Sequence, residues 1–237
     1  QVFTWSIDNP DQMTCRYCGT VYPNERFPQD HTITGVNALG EEFTYRYHQD
    51  REREDLRIFI DAHILRFKRR WIVAQLQALG RAWLATKKPE YARRAVLILD
   101  RIAQVYPHYP VMRQWITTFD FAPSQQPPYP AAGGKWGRWM ESELPAGVIE
   151  GWDMVYDSPA VDELSAERGY DVREHINTNF FRAAFDYVNT FERHDNNMSP
   201  FYLRTAIHMG RVLGEPRYVH WAYHWLMEIL SLIHISE

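Results

Sequence analysis

The stretch Leu84–Ala92, LATKKPEYA, ends one amphipathic helix and begins the next. Before it, apolar residues recur at helical spacing from about Arg53, and after it the same spacing continues to about Tyr106. Proline fits the first turn of a helix but not its interior, so Pro89 marks the start of the second helix. The stretch therefore predicts an antiparallel helical hairpin.

The same pattern recurs at Arg211–Val219, RVLGEPRYV, where a helix end is again followed by a charged residue, a proline and, after one further residue, a tyrosine. Recurring hairpins build helical solenoids and closed helical rings. The match is too loose for a short-period array, so a ring of hairpins fits better. Further helices are predicted at 141–156, 171–191, 200–213 and 216–229.

Composition excludes several classes of protein. The formal charge is -4 and the pI is near 6.2, with Lys and Arg scattered among acids, so no nucleic-acid-binding footprint is present. No apolar run approaches the ~18 residues that a membrane span needs. Hydrophobic residues make up 45% of the chain, which is enough for a substantial core.

The first and last residues of the sequence predict that the chain is a fragment of a longer protein. The chain starts at Gln1 with neither a signal peptide nor an initiator methionine, which suits a processed end or a start in mid-protein. Residues 230–237 resemble a translated sequencing adapter, although they also suit a natural helix end. We therefore predict an N-terminal loop and short-strand segment at 1–50, an incomplete helical domain at 51–229 and a non-native tail at 230–237.

A C-x-x-C motif lies in the N-terminal segment, at Cys15 and Cys18, and a glycine follows it. This is the form of a zinc knuckle, whereas a redox motif would open a helix after a strand. Structural zinc takes four ligands and the chain has two cysteines. His31 and His48 could complete the site, a second pair could lie upstream, or the thiols could be free.

Arg193–Arg204, RHDNNMSPFYLR, sets two amides directly before a helix start. Ser199 is the predicted N-cap residue. The Asn196 and Asn197 amides could donate hydrogen bonds to a substrate carboxylate at this helix terminus, where anions are favoured. An Asx-turn with a helix cap is the alternative.

A proline-rich and glycine-rich loop, 122–134, leads into Lys135, Trp136 and Arg138. Indole faces pack on sugar C–H surfaces while cations pair with acid groups, so these residues are candidates for binding an acidic carbohydrate. A helix start with buried tryptophans is the alternative. The histidines His208, His220 and His224 lie on predicted helices without a metal-binding signature, which favours core or surface roles.

Several segments, in this order, resemble the heparinase II/III-like polysaccharide lyases: Cys15–Asn24, Tyr91–Ala95, Gly151–Asp157 and Asn196–Pro200. The resemblance implies an α/α toroid, here incomplete, and a missing β-sandwich. It also implies metal-independent β-elimination on a uronic-acid polysaccharide such as heparin, heparan sulfate, another glycosaminoglycan or alginate, in the periplasm or outside the cell. An upstream C-x-x-C in family members would complete a structural zinc site.

Asn197 matches the family's carboxylate-neutralising asparagine, and Asn196 and Tyr202 would contact the substrate. Met198 replaces a histidine that alginate-lyase relatives can place there, and the family's Tyr and His acid/base residues fall beyond this chain. Tyr202 and His208 are nearby substitutes. We therefore predict that this polypeptide alone has no lyase activity.

Two other functions stay open. A non-catalytic glycan-binding protein could use the same fold, with Asn197 only capping a helix. A toroidal glycoside hydrolase could use two carboxylates, for which four candidates are present: Glu141, Glu143, Asp153 and Asp157.

Overall fold

A computed structural model describes residues 2–36, 42–52, 56–109, 117–119, 135–136, 143–144, 146–189 and 199–235. These residues are mainly helical and carry small antiparallel sheets, which confirms the mainly helical class and the short strands of the N-terminal segment. The chain forms two compact units, one of Gln1–Trp71 and Pro110–Gly133 and the other of Ile72–Tyr109 and Gly134–Glu237. The predicted division at residue 50 stays a prediction.

The first unit contains two antiparallel sheets and the beginning of a long helix. One sheet has the order β1-β2-β3 and the other β4-β5-β6-β7. The strands are β1 Phe3–Thr4, β2 Met13–Cys15, β3 Val21–Tyr22, β4 His31–Val36, β5 Glu42–Gln49, β6 Leu56–Ile58 and β7 Thr117–Phe119. A small core of Met13, Ile60 and Ile64 lies beside the first sheet and is packed by surrounding aromatics.

The helices are α1 Ile60–Thr86, α2 Pro89–Val105, α3 Ala146–Val155, α4 Pro159–Arg168, α5 Val172–Ile176, α6 Ala183–Asn189, α7 Ser199–Val212 and α8 Pro216–Ile235. The segment Asn177–Arg182 joins α5 to α6 with π-helical hydrogen bonding. In the described part of the chain, no helix has both the length and the apolar character that crossing a bilayer requires.

Both proline-marked helix starts are confirmed, at Pro89 and Pro216. The first long helix begins at Ile60 rather than near Arg53, because Leu56–Ile58 pairs with β5 on one side and β7 on the other. Helix α4 was not predicted, although its limits carry ordinary signals: proline at the first turn and Gly169 in the left-handed region after the end.

The main core lies in the second unit. Helix α2 buries a stripe at helical spacing, and α7 packs against both α8 and α3. The turn between α7 and α8 uses Gly214 at φ +67°. Gly210 lets the two helices approach closely, since a Cβ there would stand 2.8 Å from Val219 Cγ2.

Candidate active site

A stripe of polar side chains runs over α1, α3 and α7 in the second unit. Its members, called the polar stripe below, are Gln77, Glu150, Asp153, Arg204 and His208. Residues three or four apart share a helix face, which puts Glu150 with Asp153 on α3 and Arg204 with His208 on α7.

Two glycines of α3 allow this helix to pack closely against α1. A Cβ on Gly147 would stand 2.4 Å from Val73 Cγ1, and one on Gly151 would stand 3.0 Å from Leu76 Cβ. The first distance is too short for two carbons, so a Cβ on Gly147 would displace Val73, and a Cβ on Gly151 would make a tight contact that Leu76 would have to relieve. The close packing places Gln77 of α1 within reach of α3.

Glu150 joins the three helices. Gln77 Nε2 donates to Glu150 Oε2 at 2.6 Å, and Arg204 Nη2 donates to Glu150 Oε1 at 3.1 Å. The Arg204 side chain is 64% exposed and Glu150 is 34% exposed, so the pair is open to solvent. Exposed pairs are worth only about 0–1 kcal/mol, which leaves the guanidinium able to exchange partners with an incoming carboxylate.

His208 and Asp153 form the second pair of the stripe. His208 Nε2 lies 3.3 Å from Asp153 Oδ2. The imidazole is mostly buried, whereas the carboxylate is exposed. If Nε2 carries the proton that faces Asp153, the carboxylate orients the ring and Nδ1 keeps a lone pair.

The predicted asparagines precede α7 in the chain, but Asn196 and Asn197 lie outside the described residues, as does Arg138. Helix α7 begins at Ser199, within one residue of the predicted start, and Ser199 is buried. Arg204 and His208 therefore belong to the helix that directly follows the predicted carboxylate-binding segment.

Tyr202, a predicted substrate contact, lies in the aromatic core. Its side chain is fully buried, stacks with Phe185 and meets Trp221 edge to face. Asn189 Nδ2 lies 3.5 Å from the hydroxyl. Burial raises the pKa of Tyr202 well above its usual range, so the phenol stays protonated and is unsuited to act as a base. This environment favours a packing role.

Lys135 and Trp136, the other described candidates for substrate binding, are buried as well. Lys135 Nζ donates to the carbonyl of Pro107 at 2.9 Å, and the Trp136 ring stacks on Tyr109. The Trp136 amide donates to both carboxylate oxygens of Glu143 at 2.9 Å. Of the two readings open in the sequence, the structure favours a buried tryptophan over a sugar platform.

Glu143 itself is fully buried, and the Tyr106 hydroxyl also donates to it. A carboxylate that accepts from the Trp136 amide and the Tyr106 hydroxyl away from solvent fits structural support of the chain around Trp136. Among the four hydrolase candidates, Asp153 pairs with His208, Asp157 is exposed, and Glu141 lies outside the described residues.

The C-x-x-C motif forms a tight turn between β2 and β3. Gly19 adopts φ +71°, and its amide donates to the Cys15 carbonyl at 3.0 Å. Cys15 is partly buried and Cys18 is exposed. The described residues do not complete a zinc site, because no three His, Cys, Asp or Glu side chains gather there as metal ligands. His31 pairs with Asp30, and zinc binding at the two cysteines stays a prediction.

Cys18 should react with iodoacetamide faster than Cys15 near neutral pH. Hydrogen bonds, first from the Thr20 hydroxyl, lower the pKa of the Cys18 thiol, and the thiolate is the reactive form. Limited labelling followed by peptide mass spectrometry measures the two rates. Thr20→Val should slow the labelling of Cys18, and equal rates at the two cysteines in the unmodified protein would contradict the expectation.

The sequence predictions did not include Glu150 or Arg204, and they considered Asp153 only as a hydrolase carboxylate. One signal was available, because Gly147 and Gly151 are one helical turn apart and predict close approach of another helix. The packing of α3 against α7 cannot be predicted from local spacing.

Comparison of the chain with models of protein families, with curated proteins and with solved structures finds no match. The lyase resemblance therefore stays a prediction from the motifs, and the polar stripe is interpreted from its own geometry.

Proposed function

We propose that this chain is the helical domain of a polysaccharide lyase that cleaves uronic-acid-containing polysaccharides by β-elimination. The observation that carries the proposal is the His208–Asp153 pair beside the exposed Arg204, on the helix that follows Asn197. His208 would supply the base, and the exposed Arg204 would bind the substrate carboxylate; an elimination of this kind requires both groups.

The reaction is difficult because the C5 proton lies next to a carboxylate, so its removal adds charge beside existing charge. In the proposed mechanism, Asn197 and Arg204 bind that carboxylate and stabilise the developing negative charge. His208 takes the C5 proton through Nδ1, and Asp153 stabilises the resulting imidazolium.

The electrons of the broken C5–H bond form the C4–C5 double bond, and the C4–O bond breaks. The departing glycosidic oxygen then takes a proton, either from the imidazolium or from a group outside the described residues. Each step uses side chains only, and the products are an unsaturated uronate and a new sugar hydroxyl.

An incomplete α/α toroid is the architecture that we propose for the helical part. It is supported by the tight turn between α7 and α8 and by the recurrence of the proline-marked helix starts at Pro89 and Pro216. Toroids present their inner helices to an elongated groove, which would suit a polymer.

The proposal predicts unsaturated products from the protein encoded by the intact gene, measured by the ultraviolet absorbance of the new double bond. Asn197→Ala should lower turnover about 10²–10³-fold, because one preorganised donor to the developing charge is lost. Its free energy of unfolding should change little.

Ser199→Ala is the matched control. Loss of a hydroxyl at a helix start should cost about 1 kcal/mol of stability and leave most of the turnover. Saturated products would contradict the lyase proposal and indicate a glycoside hydrolase. Binding of the polysaccharide without any product would indicate a non-catalytic glycan-binding protein.

A further inference from the structure

The first unit contains an open cleft of about 290 Å³ that the proposed reaction does not use. It lies between the first sheet and the beginning of α1. Its lining combines aromatic rings with two guanidinium groups: Phe3, Thr4, Trp5, Arg16, Phe67, Arg70 and Trp71.

Two of the four aromatic side chains that line the cleft are tryptophans from distant parts of the chain. The Trp5 and Trp71 rings meet edge to face with centroids 6.5 Å apart. Trp5 is fixed in orientation because its Nε1 donates to the Pro10 carbonyl at 2.9 Å. Trp71 is 37% exposed, so a large apolar face remains open beside a fixed one.

The charged part comes from Arg16 and Arg70, which are both exposed. Among the described residues, neither guanidinium has a carboxylate within salt-bridge distance. Lys68, on the same helix, is already paired with Asp11 at 2.7 Å. The cleft therefore presents two cations whose hydrogen-bond donors are available to an anion.

The positive charge on this part of α1 is crowded. Burial, and after it the charge of Arg70, lower the pKa of Arg66, which lies one turn away. An anion bound at Arg70 would relieve that repulsion.

Arg16 is held in place by the C-x-x-C turn. Its amide donates to the Val2 carbonyl at 2.9 Å, and the Cys15 amide donates to the Thr20 carbonyl at 2.8 Å. The turn thus fixes the backbone at Arg16 against β1, whose Phe3 and Thr4 also line the cleft. The main chain on this side of the cleft is therefore held by hydrogen bonds.

We propose that this cleft is a second carbohydrate-binding site, which holds one uronate unit of an acidic polysaccharide away from the polar stripe. The indole faces pack on the C–H face of the sugar, and Arg16 and Arg70 bind its carboxylate with their paired N–H donors. The choice of a uronate among anionic ligands rests on the proposed function. A bound unit here would hold the polymer on the protein independently of cleavage.

Titration calorimetry with the full chain tests the site, using alginate and heparin oligosaccharides and the carboxyl-reduced, neutral form of the alginate oligosaccharide. Arg70→Gln and Trp71→Ala should each weaken binding of the acidic oligosaccharides about tenfold or more, because each removes a major contact. Trp71→Phe should retain most of the affinity. The neutral form should bind weakly to all variants.

Arg81→Gln is the matched control, since Arg81 is an exposed arginine of the same helix outside the cleft. Circular dichroism would verify that each variant is folded. Unchanged affinity in Arg70→Gln and Trp71→Ala, or equal binding of the neutral oligosaccharide, would overturn the site. If these variants weaken binding while the protein from the intact gene forms no unsaturated product, the cleft is supported as a binding site and the lyase proposal is contradicted.

Discussion

His208→Gln should lower the rate of elimination by the protein from the intact gene about 10²–10⁴-fold, the usual contribution of a general acid or base. Glutamine keeps a polar side chain next to Asp153 but cannot take the C5 proton. In the structure His208 Nε2 lies 3.3 Å from Asp153 Oδ2, so the change removes the base without removing its partner. Initial rates at saturating polysaccharide measure the effect on kcat.

His224→Gln provides the control, because His224 is an exposed histidine on α8 outside the polar stripe. It should leave the rate within about twofold, as expected for a surface substitution away from the reacting groups. Asp153→Asn should give a smaller loss than His208→Gln, since the base remains but loses the group that orients it. A His208→Gln variant with full activity would remove His208 from the mechanism.

Trp152→Ala should lower the free energy of unfolding by about 3–5 kcal/mol, the range for deletion of a large buried aromatic side chain. Trp152 on α3 is fully buried, and its Nε1 donates to Asn177 Oδ1 at 3.0 Å. Its ring also meets Tyr156 edge to face with centroids 4.9 Å apart. The variant loses packing and leaves the Asn177 carbonyl without this donor. Urea denaturation followed by circular dichroism measures the change.

Trp71→Ala is the matched tryptophan control. Because the Trp71 ring is partly exposed, its removal should lower the free energy of unfolding by less than about 1 kcal/mol. Trp152→Phe keeps an aromatic ring but removes the N–H that donates to Asn177, so it separates packing from hydrogen bonding. It should lower the free energy of unfolding by about 1–3 kcal/mol, because the buried Asn177 carbonyl loses its donor. Equal losses for Trp152→Ala and Trp71→Ala would contradict the placement of Trp152 in the core of the second unit.

The helix starts were predictable because their signals are local. Pro89 and Pro216 fix the backbone of a first turn whatever surrounds them, and the structure begins helices at both. In contrast, Leu56–Ile58 carries no local sign of being a strand. Its partner β7 lies about sixty residues later, and pairing across that separation overrides the helical spacing of its apolar residues.

The sequence left burial of Trp136 open as one of two interpretations, and the burial of Lys135 was not predicted. Their partners Pro107, Tyr109 and Phe180 are distant in sequence, and only the folded second unit brings them together. The polar stripe depends in a similar way on the packing of three helices. Local spacing favoured a core or surface role for His208, and its pairing with Asp153 depends on the contact between α3 and α7.

Gly147 lies against the side chains of Val73 and Gln77, and Gln77 Nε2 donates to Glu150 Oε2 one turn further along α3. A larger residue at position 147 would push these side chains away and lengthen that hydrogen bond. Under the proposed function, the displaced Glu150 would also shift Arg204, because Arg204 Nη2 donates to Glu150 Oε1. A residue without any contact to the substrate would then change how the substrate carboxylate is held.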